Sequence, residues 1–346
     1  RQPAADRDSV IVLHYCVIFW RGRPMTRVNL ITGFLGSGKT TLLGHLLAAR
    51  PSGENWAVLV NEFGEIGIDG ALLADRGATL KEIPGGCLCC VNGLPMQVGL
   101  NMLLKSKPDR LLIEPTGLGH PRQVLQMLSA PVYQSWLQLN ATLTLLDARQ
   151  LADPRIVANE NFRDQLAAAD LVIANKRDCW DQADRQRLAD WQQQMQPARP
   201  LIETEFGQIP LSLLDTPRQP RELPVPQHHH SSGPTSGLAA LRLNGEARWR
   251  RALNHGQGYS ACGWLFDGDT LFDSGTLLEW VRQAPVDRVK GVMRTKEGAL
   301  RINRQANELQ SETLPSPPSD SRIEIIHSQQ ADWNRLQSAL LKCRLR

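Results

Sequence analysis

Residues 33 to 40 read Gly33, Phe34, Leu35, Gly36, Ser37, Gly38, Lys39, Thr40, the pattern G-x-x-x-x-G-K-[ST]. An apolar run at 28–31 precedes them and a helix-forming run at 42–49 follows. That succession folds as strand, tight loop and helix, because the glycines let the backbone curl where bulkier residues cannot. In such a loop successive N–H groups and the helix N-terminus face one spot, which favours a polyanion. Lys39 is then placed to reach the β- and γ-phosphates of a nucleoside triphosphate, and Thr40 to offer its hydroxyl to Mg²⁺. The expected phosphate-binding set runs through Thr41.

A loop of this kind needs a sheet to carry it. From residue 25 to about 206 the chain alternates strand-like segments (28–32, 57–61, 79–83, 110–114, 142–147, 171–175, 200–203) with helical ones (40–49, 91–105, 181–194). This predicts an α/β domain with a mostly parallel sheet and ligands at the carboxyl ends of its strands. Two strand ends carry further nucleotide chemistry. Glu114 closes an apolar strand with Gly117 three residues on, so Glu114 is expected to hold Mg²⁺, through water, and the Gly117 N–H to meet the γ-phosphate. Asp147 also ends an apolar strand and competes for the acidic role; the nearby glycine favours Glu114. Asn175, Lys176 and Asp178 form N-K-x-D at another strand end. A carboxylate at Asp178 can accept two hydrogen bonds from guanine, and adenine offers no such donor pair, so GTP is expected over ATP.

At 346 residues there is room for about two domains. Five prolines and His228, His229 and His230 fall within 215–237, which reads as a linker, and 238–346 as a small α+β domain. Strands are expected there at 259–266, 288–294, 299–303 and 322–327, with helices at 277–281 and 333–341. The domain boundaries are accordingly 25–214, 215–237 and 238–346. The formal net charge of +4 is mild and argues against a nucleic-acid surface. The apolar run at 10–20 is too short to span a bilayer. Residues 1–24 are expected to be an extension foreign to the fold, with Met25 as the natural start.

Seven cysteines do not suit a secreted disulfide framework, and three of them, Cys87, Cys89 and Cys90, fall within four residues behind two glycines. Three such thiolates can converge on one soft or borderline cation such as Zn²⁺ or Cu⁺. A fourth ligand must come from elsewhere or stay open; Glu62, Glu65 and His120 are the candidates, with Glu65 carried forward. Cys16, Cys179, Cys262 and Cys343 are isolated and read as structural.

Together these motifs resemble the CobW-type GTPases, relatives of the GTPases that deliver nickel to urease and hydrogenase, and within them the zinc-chaperone subgroup. The resemblance rests on TGFLGSGKTT (32–41), VNEFGEIGID (60–69), GGCLCC (85–90), EPTGLGHP (114–121) and NKRD (175–178). It implies GTP hydrolysis with Lys39, Thr40 and Glu114 as catalytic residues, Mg²⁺, and Zn²⁺ on Cys87, Cys89 and Cys90. It also implies a CobW-type C-terminal domain, a cytoplasmic location and a client metalloprotein, with no nucleic acid or membrane partner; a homo-oligomer is left open. Val60 stands where some relatives carry a metal-binding acid, so the resemblance supplies no fourth ligand. Delivery of another ion such as cobalt, or metal storage or sensing with vestigial hydrolysis, are the alternatives.

Overall fold

The computed structural model describes residues 25–61, 79–83, 94–115, 117, 120–195, 198–224, 248–256, 259–314, 320–329 and 331–345. The first body is built on a sheet of β1 (Thr26–Gly33), β2 (Trp56–Asn61), β3 (Thr79–Ile83), β4 (Arg110–Glu114), β5 (Leu137–Leu139), β6 (Leu143–Asp147), β7 (Leu171–Asn175) and β8 (Leu201–Glu203). Its order is β3-β2-β4-β1-β6-β7-β8, with β5 also beside β1. All of these pairings are parallel, with Leu30 opposite Ile113 and Thr32 opposite Thr144 across β1.

A parallel sheet is covered on both faces, so its strands are apolar nearly throughout. Side chains alternate across it. Val28, Leu30, Leu59, Leu111 and Ile113 meet α2 (Leu94–Leu104) through Met96, Leu100 and Leu103, and α3 (Pro121–Leu128) through Val124, Leu125 and Leu128. Ile31, Val58, Val60, Leu112, Leu143 and Leu145 meet α1 (Lys39–Ala48) through Leu42, Leu43 and Leu46. The short α4 (Pro154–Val157), α5 (Glu160–Ala168) and α6 (Gln182–Gln194) complete this α/β body. Residues 215–224, expected to begin the linker, lie against it: Asp215 pairs with Arg110 at 2.5 Å and Arg221 with Asp170 at 3.2 Å.

The second body is an antiparallel sheet in the order β13-β12-β11-β14-β10-β9. Its strands are β9 (Trp249–Gly256), β10 (Tyr259–Phe266), β11 (Arg288–Thr295), β12 (Gly298–Gln305), β13 (Glu308–Leu314) and β14 (Ser321–His327). On one face Cys262, Trp264, Phe266, Ile323 and Ile325 pack beneath α7 (Ser274–Gln283) and α8 (Trp333–Lys342), which supply Leu277, Trp280, Val281, Leu336 and Leu340. Arg304, 4 % exposed, donates to the carbonyls of Val281 at 2.8 Å and Ala284 at 2.9 Å, satisfying the C-terminal end of α7. The alternate residues of the same strands point the other way. Ala261 and Ile326 join Phe34, Leu35, Leu146 and Phe162 of the first body in one buried cluster, with Tyr259 packed against it. Strands β5, β9 and β13 and helices α3, α4 and α5 were not in the sequence expectation.

Candidate nucleotide site

The loop after β1 curls as the glycine pattern demands. Gly38 has φ +100°, and a Cβ built there would stand 2.4 Å from Asn175 Nδ2, so neither the backbone angle nor the space admits a side chain. Gly33, at φ +147°, would place a Cβ 2.6 Å from the Leu145 carbonyl oxygen. Helix α1 opens directly at Gly38 with no side-chain cap, so its first N–H groups keep their positive end for a ligand. Lys39, 8 % exposed, arches back and donates to the Gly33 carbonyl at 3.0 Å. Ser37 is fully buried, and its Oγ has no hydrogen-bond partner among the described residues. Thr40 is half-buried and Thr41 exposed at the start of the helix. A cradle that any Cβ would fill, an uncapped helix end and a buried lysine fit a polyphosphate.

The other strand ends converge here. Glu114, buried at 4 % exposure, closes β4. Gly117 lies so close that a Cβ on it would stand 3.1 Å from both Lys39 Nζ and the Leu35 nitrogen. Asp147, the rival acid, is engaged: Arg149 donates to it from Nε at 3.0 Å and from the terminal guanidinium at 2.7 Å. That bonding holds Arg149 more firmly protonated than usual. Asn175 ties the N-K-x-D segment to the loop, donating to the Ser37 carbonyl at 3.0 Å and accepting from the Gly207 N–H at 2.9 Å. Lys176 sits at φ +65°, an uncommon conformation for a residue with a side chain. Asp178 is exposed and accepts only a thiol hydrogen bond from Cys179 at 3.3 Å among its described partners. Burial and this carboxylate push the Cys179 thiol above its usual range.

Two positioning residues carried no signal in the sequence. Gln150 donates to the Leu35 carbonyl at 2.8 Å, and Gln165 on α5 donates to the Gly117 carbonyl at 3.0 Å. Each bonds a loop backbone from far along the chain, which no local pattern announces. His120, a candidate metal ligand, commits Nδ1 to the buried Asp164 carboxylate at 2.7 Å. Cys87, Cys89, Cys90, Glu62 and Glu65 lie outside the described residues. Among the described residues no group of three His, Cys, Asp or Glu side chains could hold a metal, and Cys179, Cys262 and Cys343 are free thiols.

The family description "CobW/HypB/UreG, nucleotide-binding domain" matches residues 27–203, just over half of the chain and all but the first residue of the span from β1 to β8. The chain belongs to the CobW/HypB/UreG family. Its first body is therefore that family's nucleotide-binding domain. The zinc chaperone YeiR of Escherichia coli K12 is 63 % identical over 324 residues, covering 93 % of this chain and 99 % of that protein. The zinc chaperone CobW of Pseudomonas aeruginosa is 33 % identical over 239 residues, covering 58 % of this chain and 63 % of that one. Among solved structures, the Zn(II)-bound YjiA GTPase from E. coli is 21 % identical with a TM-score of 0.43, covering 93 % of this chain and 100 % of that one. No helix among the described residues is long and apolar enough to cross a membrane.

Proposed function

We propose that this chain is a zinc-binding GTPase acting as a metallochaperone, coupling GTP hydrolysis to the transfer of zinc to a client protein. The observation that carries the reading is its 63 % identity to a protein named a zinc chaperone, extending over 99 % of that protein. In this reading Lys39 and Thr40 hold the phosphates and Mg²⁺, Glu114 is the strand-end acid, and Gly117 meets the γ-phosphate. Asn175, Lys176 and Asp178 recognise guanine, and the exposure of Asp178 leaves its carboxylate open to a base. Zinc is cargo: Cys87, Cys89 and Cys90 bind it as thiolates, with Glu65 as the further ligand, and release it to the client. The work is done in the cytoplasm, where the thiols stay reduced.

Nucleotide state reaches the metal because 61–69, 85–90 and 114–121 act as switch segments, ordering on the γ-phosphate and Mg²⁺, and the cysteine loop is one of them. Calorimetric titration of Zn²⁺ into the GTP- and GDP-bound forms tests this. The parent is expected to bind about one zinc per chain with proton release. Cys87→Ser/Cys89→Ser/Cys90→Ser is expected to lose tight binding. Zinc affinity should differ between the two nucleotide forms, and GTP affinity should change by the same factor when zinc binds. Equal zinc affinity in both forms would overturn the coupling, and tighter binding of Co²⁺ at matched free concentration would overturn the choice of ion.

A further inference from the structure

The sheet face that the C-terminal domain turns toward the nucleotide domain lands on the phosphate loop itself. Phe34, the second residue of the loop, is 2 % exposed. Its ring lies edge-on to Phe162 of its own domain at 5.7 Å and to Tyr259 of β10 at 6.2 Å. Beside this apolar seat the turn between β12 and β13 reaches further. The Gln305 side chain lies against the α-carbon of Gly36, since a Cβ built on Gly36 would stand 2.8 Å from both Gln305 Cγ and Cδ. Three residues on, Glu308 accepts from Arg149 and pairs with Lys176 at 3.4 Å. Arg149 and Lys176 also hold Asp147, at 2.7 and 3.8 Å, so one carboxylate from each domain shares the same two cations. Lys176 is the lysine of N-K-x-D, and Gly36 is the middle glycine of the phosphate loop. One turn of the second domain therefore touches both nucleotide motifs.

A second observation separates this turn from ordinary domain packing. Gln305 Oε1 is buried and has no hydrogen-bond partner among the described residues. A buried amide oxygen left unbonded costs stability, and a contact that existed only to join two domains would gain nothing from it. An amide held against a phosphate loop and poised to bond something absent from the chain has a different purpose. A polyphosphate accepts hydrogen bonds from an amide N–H, and a side-chain amide can present either its oxygen or its nitrogen.

We propose that the β12–β13 turn completes the nucleotide site from the second domain, with Gln305 bonding the bound nucleotide and Glu308 positioning Lys176 over its base. The proposal rests on the nucleotide-binding reading of the loop and goes beyond it by making that site incomplete without the C-terminal domain. Nucleotide binding and seating of the C-terminal sheet then favour one another, and each must strengthen the other by the same factor. The loop's Phe34 acts as the apolar pivot and Gln305 as the group that distinguishes a loaded loop from an empty one.

The test uses the full chain and fluorescent analogues of GTP, GDP and ATP. The parent is titrated first, because failure of the parent to bind any of them would sink the nucleotide reading itself and not this proposal. Gln305→Leu keeps volume and removes the amide. It is expected to weaken nucleotide binding about ten- to a hundredfold, the span for one hydrogen bond to a charged acceptor. The same variant is expected to leave the ligand-free melting temperature unchanged or raised, because an unbonded buried oxygen has been removed. Glu308→Gln is expected to raise KM for GTP with kcat little changed, and Gln305→Glu, which sets a carboxylate beside the phosphates, to weaken binding more than Gln305→Leu. Parent-like affinity in Gln305→Leu would overturn the proposal whatever the melting temperature, and a lowered melting temperature beside it would leave the turn a packing contact. Parent-like KM in Glu308→Gln would overturn the positioning of Lys176.

Discussion

Replacing Gly38 by alanine adds one methyl group where the phosphate loop meets Asn175. Two costs follow from the geometry. An L-residue at φ +100° carries backbone strain of about 1–3 kcal/mol. The new carbon would stand 2.4 Å from Asn175 Nδ2, so that amide must move, and its 3.0 Å bond to the Ser37 carbonyl breaks inside a buried site. Leaving that carbonyl unbonded costs a further ~1–3 kcal/mol. At about 2–4 °C per kcal/mol for a domain of this size, the nucleotide-domain transition should fall by roughly 5–20 °C in scanning calorimetry of the ligand-free chain. The two costs can be separated. In an Asn175→Ala background there is no amide to displace and no bond left to break, so Gly38→Ala should cost only the strain. The double-mutant cycle should therefore show a coupling of about 1–3 kcal/mol between positions 38 and 175. Additive losses would refute the claim that the two motifs are locked through this contact, and an unshifted transition in the single variant would refute the strain as well.

Arg110 is 2 % exposed, bonds Asn29 Oδ1 at 2.8 Å and Asp215 at 2.5 Å, and stands over Trp56 at 5.3 Å. Arg110→Met should lower the unfolding free energy by about 2–3 kcal/mol, read as a lower urea midpoint at unchanged m-value and less than the ~3–5 typical of a fully buried pair because Asp215 is half-exposed. Asp178→Asn should weaken GTP binding and move preference toward xanthine nucleotides, since its amide presents a donor; equal ATP and GTP affinity in the parent would sink the guanine assignment. Glu308 is held below its ordinary value of 4.5, chiefly by the hydrogen bond from Arg149 and further by Lys176. Its contribution to stability is therefore complete above pH 4.5 and is lost as pH falls through the folded value. The melting difference between parent and Glu308→Gln should be flat near neutrality, under about 1 kcal/mol because the group is largely solvated, and should close in acid; a difference that widens in acid would refute the pairing.

What the sequence discloses depends on whether a signal is local. The strands at 110–114 and 171–175 fall where the apolar runs place them, because a parallel strand buried on both faces cannot hide its composition. The phosphate loop is legible for the same reason: its geometry is written in consecutive residues. Helix α5 was missed because the side it buries is polar, with Asn161, Asp164 and Gln165 turned inward beside Phe162 and Leu166. No apolar period marks such a helix, and its task of bonding His120 and the Gly117 carbonyl appears only in three dimensions. Strand β13 was missed because it is a largely exposed edge strand rich in polar residues. Gln305 and Glu308 sit in an unremarkable polar turn, and their meaning comes from Gly36 and Arg149, well over a hundred residues away.

The order in which the ribosome delivers these parts gives the roof over the phosphate loop one more consequence. The described residues packed on the first sheet end at 224, whereas β14, the interior strand that joins β11 to β10, ends at residue 327. At synthesis rates of about 5–20 residues per second, those roughly one hundred residues take on the order of 5–20 s. For that interval the phosphate loop is formed but uncovered, in a cell rich in nucleotide. The last sheet then closes over a loop already occupied, and Gln305 meets its hydrogen-bond partner at birth rather than being buried without one. A nascent chain starved of nucleotide would have to bury that amide empty, so the proposed role of Gln305 makes free nucleotide a template for the final step of maturation.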